Sequence, residues 1–221
     1  ITTEKEQEKE NALLKEARLL EEAKKGSIGE LFDSYALSMK KAGKRTYPAV
    51  LSALKKEVLP FIPASTKAKE VTTAQLVDVL ASMIDRGAAT QSNRVRSYVM
   101  AAFNYGLKHD NDPAQKKRGI SFGLQFNPVQ AIPKQKDAER RGTNSLTIEE
   151  VKTTLEQFGH TPKVGFFMVK LLELCFFTGG QRPHELIASK WQAVNWEQKT
   201  LLITVDVSKT KAEHLIPLTD T

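Results

Sequence analysis

The chain has 221 residues, 27% of them charged, and a formal net charge of +7. That length holds two modest domains, each burying its own core, and a basic balance of this size permits a nucleic-acid partner without requiring one. No apolar run reaches membrane-spanning length and no signal-peptide pattern opens the chain. A single cysteine, Cys175, lies inside an apolar run and reads as a small core residue in a reducing compartment. The chain starts at Ile1 and not at Met, and ends directly after an apparent strand, so the expectation is a fragment of a longer protein.

The charge is unevenly spread. Lys and Arg against Asp and Glu number 6 to 7 over residues 1–26, 12 to 8 over 27–112, 7 to 2 over 113–145 and 8 to 9 over 146–221. The excess sits in the middle of the chain and in one connecting segment.

Residues 4–25 are rich in Glu, Lys, Ala and Leu and predict a charged helix whose second half docks while its first half is solvated. Ser27 and Glu30 form a capping-box signature for a helix reaching about Ala42 and ended by Gly43. Thr46-Tyr47-Pro48 opens the next helix, with Val50, Leu51, Leu54 and Val58 as its buried stripe. Thr72 and Gln75 cap a third, and a fourth runs from about Thr90 to His109. Together these predict a compact helical domain over 27–112, after a connector over 1–26.

In the fourth helix Val95, Val99, Ala102, Phe103 and Gly106 share one face, the expected core face. Arg94, Tyr98, Tyr105 and Lys108 line an adjacent flank, with Arg96 on the other side. Basic and aromatic residues interleaved at helical spacing suit a DNA backbone or groove, though an ordinary amphipathic surface looks the same. Residues 113–145 break the pattern with Pro113, Pro128 and Pro133 and carry Lys116, Lys117, Arg118, Arg140 and Arg141. They predict an extended, basic interdomain linker that contacts phosphates, in which Phe122, Leu124 and Phe126 alternate and pack locally.

A second domain is expected over 146–221, opened by a Thr147–Glu150 capping box and a helix with Ile148, Val151, Leu155 and Phe158 on one face. Residues 164–177 are apolar almost all round, which predicts a helix buried on nearly every side. Gly179 and Gly180 supply a helix stop, and Pro183 at a first helical position places Arg182 at the N-cap of the next helix. Stability alone favours Ser, Thr, Asp or Asn there. An arginine held in that place either pairs with a local carboxylate such as Glu185 or grips a phosphate. Residues 201–205 and 213–218 read as two strands around an exposed turn carrying Lys209 and Lys211.

The run Thr178-Gly179-Gly180-Gln181-Arg182-Pro183-His184-Glu185-Leu186, then Trp191, then Ser208-Lys209-Thr210-Lys211 and Ile216-Pro217-Leu218, resembles the start of the catalytic domain of tyrosine recombinases, the phage-type integrases, and looks most like those of genomic islands and satellite phages. The resemblance covers roughly 27–221. It implies a mainly α fold with a small β-hairpin or sheet: a four-helix, SAM-like core-binding domain followed by the N-terminal part of an α+β catalytic domain. It implies a site-specific recombinase of mobile elements that cuts and rejoins DNA through a 3′-phosphotyrosyl intermediate, with no cofactor and no metal. Its partner would be double-stranded DNA at core-type attachment sites, with protomers assembling as a tetramer there, in a bacterial or phage cytoplasm near the nucleoid.

By the same resemblance Arg182 matches the first catalytic arginine and Lys209 the hairpin lysine that acts as general acid, with Lys211 as the nearby alternative and Glu185 as a buttress. The family's later histidine and arginine block and its nucleophilic tyrosine have no counterpart here. Tyr35, Tyr47, Tyr98 and Tyr105 all precede the second domain and match no nucleophile motif. The expectation is therefore a piece that binds DNA and does not cleave it. Two other classes remain open from sequence: a non-catalytic, architectural DNA-binding protein of the same fold, and a helical adaptor with a basic surface.

Overall fold

The computed structural model describes residues 2–113, 120–139 and 142–219, and divides into two compact units, Ile1–Arg141 and Gly142–Thr221.

The first unit contains α1 (Thr2–Ala23), α2 (Ile28–Lys41), α3 (Tyr47–Val58), α4 (Thr73–Asp85) and α5 (Ala89–Asn111). Local chemistry sets their starts. The Ser27 hydroxyl accepts from the Glu30 N–H at 3.2 Å while the Glu30 carboxylate accepts from the Ser27 N–H at 2.7 Å. Thr72 and Gln75 repeat that reciprocal pair at the head of α4. The interior is built from one stripe of each of α2 to α5, including Leu31 and Phe32 of α2, Leu54 and Val58 of α3, Leu76 and Met83 of α4, and Val95, Val99, Ala102, Phe103 and Gly106 of α5. Each such large side chain contributes about 1.5–3 kcal/mol by leaving water.

The last turn of helix α1 ties it to the rest of the unit. Glu22 pairs with Lys25 at 2.9 Å and with Lys69, and the Lys67 ammonium donates to the Ala23 carbonyl at 3.2 Å and to that of Lys25. The two lysines beside it pull the Glu22 carboxyl down to about 2. The second half of α1 does not dock as its leucines predict: Leu13, Leu14 and Leu19 are all exposed.

Residues 120–139 depart from the expected extended linker, because they are laid along α5 and share the first unit's core. Phe122, Val129 and Ile132 are buried in it, while Phe126 faces out. Side chains of α5 satisfy the segment's backbone. Asp110 accepts from the amides of Phe122 at 2.9 Å and Gly123 at 2.7 Å. Asn93 both accepts from the Gln135 amide at 2.8 Å and donates to its carbonyl at 2.9 Å. Arg96 Nε donates to the Ile132 carbonyl at 2.5 Å, and Thr90 to that of Ala138 at 2.6 Å. Prolines and scattered charge mark the loss of regular hydrogen bonding, and that is compatible with tight packing when polar side chains supply the missing partners.

The second unit contains α6 (Ile148–Phe158), α7 (Phe166–Phe177), α8 (Pro183–Ala188) and strands β1 (Val194–Asn195), β2 (Thr200–Ile203) and β3 (His214–Pro217). The strands form an antiparallel sheet in the order β1-β2-β3, with Leu201 opposite Ile216 and Ile203 opposite His214. Period-2 alternation puts Leu201 and Ile203 on the covered face, where they meet Leu186 and Ile216. Leu171 and Cys175 of α7 pack against this small core.

The remainder of α7 overturns the expectation of burial on nearly every side. None of its described residues is fully buried, and Phe166, Phe167, Met168, Phe176 and Phe177 are exposed. An all-round apolar sequence states what a helix can bury, whereas its actual burial depends on what lies against it.

Candidate functional site

The turn after α7 is shaped by its two glycines. Gly179 and Gly180 have φ of 74° and 83°, and their amides return to the carbonyls of Phe176 at 3.0 Å and Cys175 at 2.8 Å. This pairing is a Schellman motif. A side chain at either position would meet nothing within 4 Å, so the backbone angle and not lack of space requires glycine.

Arg182 follows in extended conformation at the N-cap of α8, with Pro183 in the first turn. Its guanidinium donates to Glu185 Oε1 at 3.3 Å, yet half of its side chain stays in solvent. The carboxylate partner is the opposite: Glu185 is 1% exposed and collects bonds from two elements of the unit. Oε1 also accepts from the Lys209 backbone N–H at 2.7 Å, and Oε2 accepts from the Gln181 side-chain amide. The Lys209 amide, and after it the charge of Arg182, hold the Glu185 carboxyl below its ordinary value against the opposing effect of burial. One buried carboxylate thus ties the N-cap of α8 to the turn between β2 and β3.

Lys209 and Lys211 are both exposed at that turn, and Lys211 adopts a left-handed φ of 57°. Ser208 beneath them is buried, its hydroxyl 3.0 Å from that of Thr210. The fixed point is the Lys209 backbone, while the residue itself is exposed. Two cations carried on one anionic post suit an anionic ligand such as a phosphate.

Sequence reasoning missed Gln181 and His214, whose Nε2 lies 3.3 Å from Gln181 Oε1. The i, i+4 spacing of Gln181 and Glu185 was the available signal; the role of His214 depends on strand register and left none.

In the first unit Arg94 and Lys108 are exposed, with Arg94 3.4 Å from the Gln91 side chain. Arg96 is half-buried and committed to the Ile132 carbonyl. Tyr98 packs on the core, and Tyr105 lies between the rings of Tyr35 and His109, at 5.9 and 5.7 Å. Lys116, Lys117, Arg118, Arg140 and Arg141 lie outside the described residues. Among the described residues no group of three or more His, Cys, Asp or Glu is placed to hold a metal ion, and no helix is long and apolar enough to cross a membrane. A cleft of about 500 Å³ in the second unit, lined by Leu174, Phe177, Leu186, Trp191 and Trp196 among others, includes neither Arg182 nor Lys209.

No family model matches the chain, and no curated protein matches it. Solved structures do. A lambda integrase (residues 75–356) dimer bound to a COC′ core site aligns with a TM-score of 0.62 at 21% identity, over 86% of this chain and 62% of that one. The chain has the integrase fold. A lambda integrase tetramer bound to a Holliday junction gives 0.63 at 21% identity, over 88% of this chain and 52% of that one. The Tn1549 transposon integrase (residues 82–397) with circular intermediate DNA gives 0.55 at 15% identity, over 88% and 61%. The chain therefore spans between half and two thirds of the integrase chains it matches, and its mostly helical make-up with one three-stranded antiparallel sheet agrees with them.

Proposed function

We propose that this chain is the DNA-binding part of a site-specific tyrosine recombinase, an integrase of a mobile element. The observation that carries the proposal is the Glu185 post, which supports Arg182 through its side chain and Lys209 through its backbone. A phosphoryl-transfer centre needs fixed positive charge where charge develops on the phosphate, and a proton donor for the departing oxygen. Arg182 takes the first part, clamping nonbridging oxygens with its planar fork. Lys209 takes the second, with Lys211 its neighbour at the turn. Glu185 does no chemistry; it holds the other two. Removing one fixed donor of this kind costs about 3–4 kcal/mol in the transition state.

Double-stranded DNA is the proposed partner, with several protomers assembling on it. Arg94 and Lys108 of α5 serve as its exposed backbone contacts, and Lys116, Lys117, Arg118, Arg140 and Arg141 are proposed as further ones. Arg96 contributes by holding the segment at Ile132 against α5, and Tyr98 and Tyr105 by stiffening that helix. The domain scheme that goes with this reading is a connector over 1–26, a core-binding domain over 27–112, a connecting segment over 113–145 and the beginning of a catalytic domain over 146–221. The nucleophile is none of Tyr35, Tyr47, Tyr98 and Tyr105, which all belong to the first unit. These 221 residues alone are thus expected to bind duplex DNA and to leave it uncut.

A gel-shift series with a labelled duplex tests this. The expected result is binding at low salt that weakens steeply as salt rises, with no covalent adduct in denaturing gels. Absence of binding at low salt, or binding indifferent to salt, contradicts the proposal.

A further inference from the structure

Gln181 sits immediately before Arg182, and its side chain is bonded at both ends. Its Nε2 donates to Glu185 Oε2, and its Oε1 lies 3.3 Å from His214 Nε2. A carboxylate only accepts, so the edge of the amide that faces Glu185 must be the NH₂. That choice fixes the other edge: the carbonyl oxygen faces His214, and the hydrogen between them belongs to the imidazole Nε2. Gln181 thereby joins the turn after α7 to the first residue of β3, which is itself paired with Ile203 in the sheet.

The consequence falls on Glu185. Its Oε1 is held by the Lys209 amide and by Arg182, and its Oε2 is held by Gln181, with Arg182 a distant 3.5 Å away. Three donors in different directions leave the carboxylate one rotation. Without the Gln181 donor, Oε2 keeps only the long Arg182 contact, and the carboxylate is free to swing into a bidentate grip on the guanidinium. That swing would release the Lys209 backbone.

We propose that Gln181, braced by His214, is a positioning residue that fixes the rotation of the Glu185 carboxylate and so sets the separation of Arg182 from the Lys209 turn. The purpose of that separation rests on the recombinase reading; the bridge itself does not.

The test uses NMR on the whole 221-residue chain and on Gln181→Met, which fills similar volume and has no hydrogen-bonding amide. In the wild type, the Lys209 amide proton resonance should follow the titration of Glu185, with a midpoint below the ordinary carboxylate value, and its exchange with solvent should be slow. In Gln181→Met the midpoint should rise and Lys209 amide exchange should quicken by about tenfold, the equivalent of one lost hydrogen bond. Loss of mere packing would expose Glu185 and lower that midpoint, the opposite direction. Should Gln181→Met fail to fold, His214→Phe decides through exchange alone: it leaves the Glu185 bond and removes the brace, so a smaller quickening of Lys209 amide exchange is expected, whereas the midpoint also carries the lost charge of His214. An unaltered Lys209 midpoint and exchange rate in the folded variant overturns the proposal. Duplex binding by the wild type is measured in parallel. Its absence would remove the recombinase reading and leave the bridge standing, whereas binding combined with an unmoved Lys209 signal would remove the bridge alone.

Discussion

The two units show how similar apolar material leads to different interiors. In the first, four helices and the 120–139 segment converge on Phe32, Leu54, Phe103 and Phe122, each fully buried. In the second, α7 is the most apolar helix of the chain in plain sequence, yet its phenylalanines lie in solvent, and among the described residues the buried apolar set is Leu186, Leu201, Ile203 and Ile216. Stability is therefore concentrated in the first unit. In the second unit the buried carboxylate of Glu185 bonds to the side chain of Arg182 and the backbone of Lys209. Apolar patches of this extent are themselves a liability for association.

The largest expected effect breaks the contrast at a single residue type. Phe103→Ala in the first unit should lower its unfolding free energy by about 3–5 kcal/mol, through lost burial and the cavity left behind. Phe167→Ala, at an 86% exposed site, should change stability by less than about 0.5 kcal/mol. Denaturant melts of both variants check this, and equal effects would mean that the exposed face of α7 is covered in solution.

Next in size is Asp110→Asn, which replaces an anionic acceptor of the Phe122 and Gly123 amides. A loss of about 1.5–3 kcal/mol is expected. Hydrogen exchange should show it first at those two amides, because they fasten the 120–139 segment to α5.

The acid response separates the units further. Glu185 has a depressed folded-state value, so its contribution to stability is complete above the ordinary carboxylate value and is lost as pH falls through the depressed one. In the wild type, amides of the second unit around Lys209 should lose protection on acidification below the usual carboxylate range; Glu185→Gln should remove this particular response. Glu22, drawn down to about 2 by Lys69 and Lys25, predicts that the last turn of α1 stays docked until pH falls to about that value. The smallest effect is Thr147→Ala at the head of α6, about 1 kcal/mol, read as local fraying of that helix.

How much of this was written in the sequence differs by the range of the interaction. The Ser27, Thr72 and Thr147 caps were legible because a capping box is settled within four residues. The core face of α5 followed from periodicity, and the Gly179-Gly180 stop and the N-cap place of Arg182 followed from backbone angles. The packing of Val129 and Ile132, and the fact that Phe122 joins the helical core and does not merely pack locally, were hidden because they depend on Asp110, Asn93 and Arg96 reaching a segment with no periodicity of its own. Arg96 shows the same limit from the other side, since a basic residue at helical spacing gives no sign that a carbonyl will claim it. At the candidate site Arg182, Glu185 and Lys209 were named from their pattern. The Gln181–His214 contact needed the register of β3, which no local motif encodes.

The most direct measurement of the central claim is the salt dependence of duplex affinity for the wild type beside Arg182→Ala. If Arg182 neutralises a DNA phosphate, its removal should weaken binding on every duplex and lower the slope of log affinity against log salt by about one. A variant that keeps the wild-type slope and affinity would place Arg182 away from the phosphate and reduce its partnership with Glu185 to a structural salt bridge.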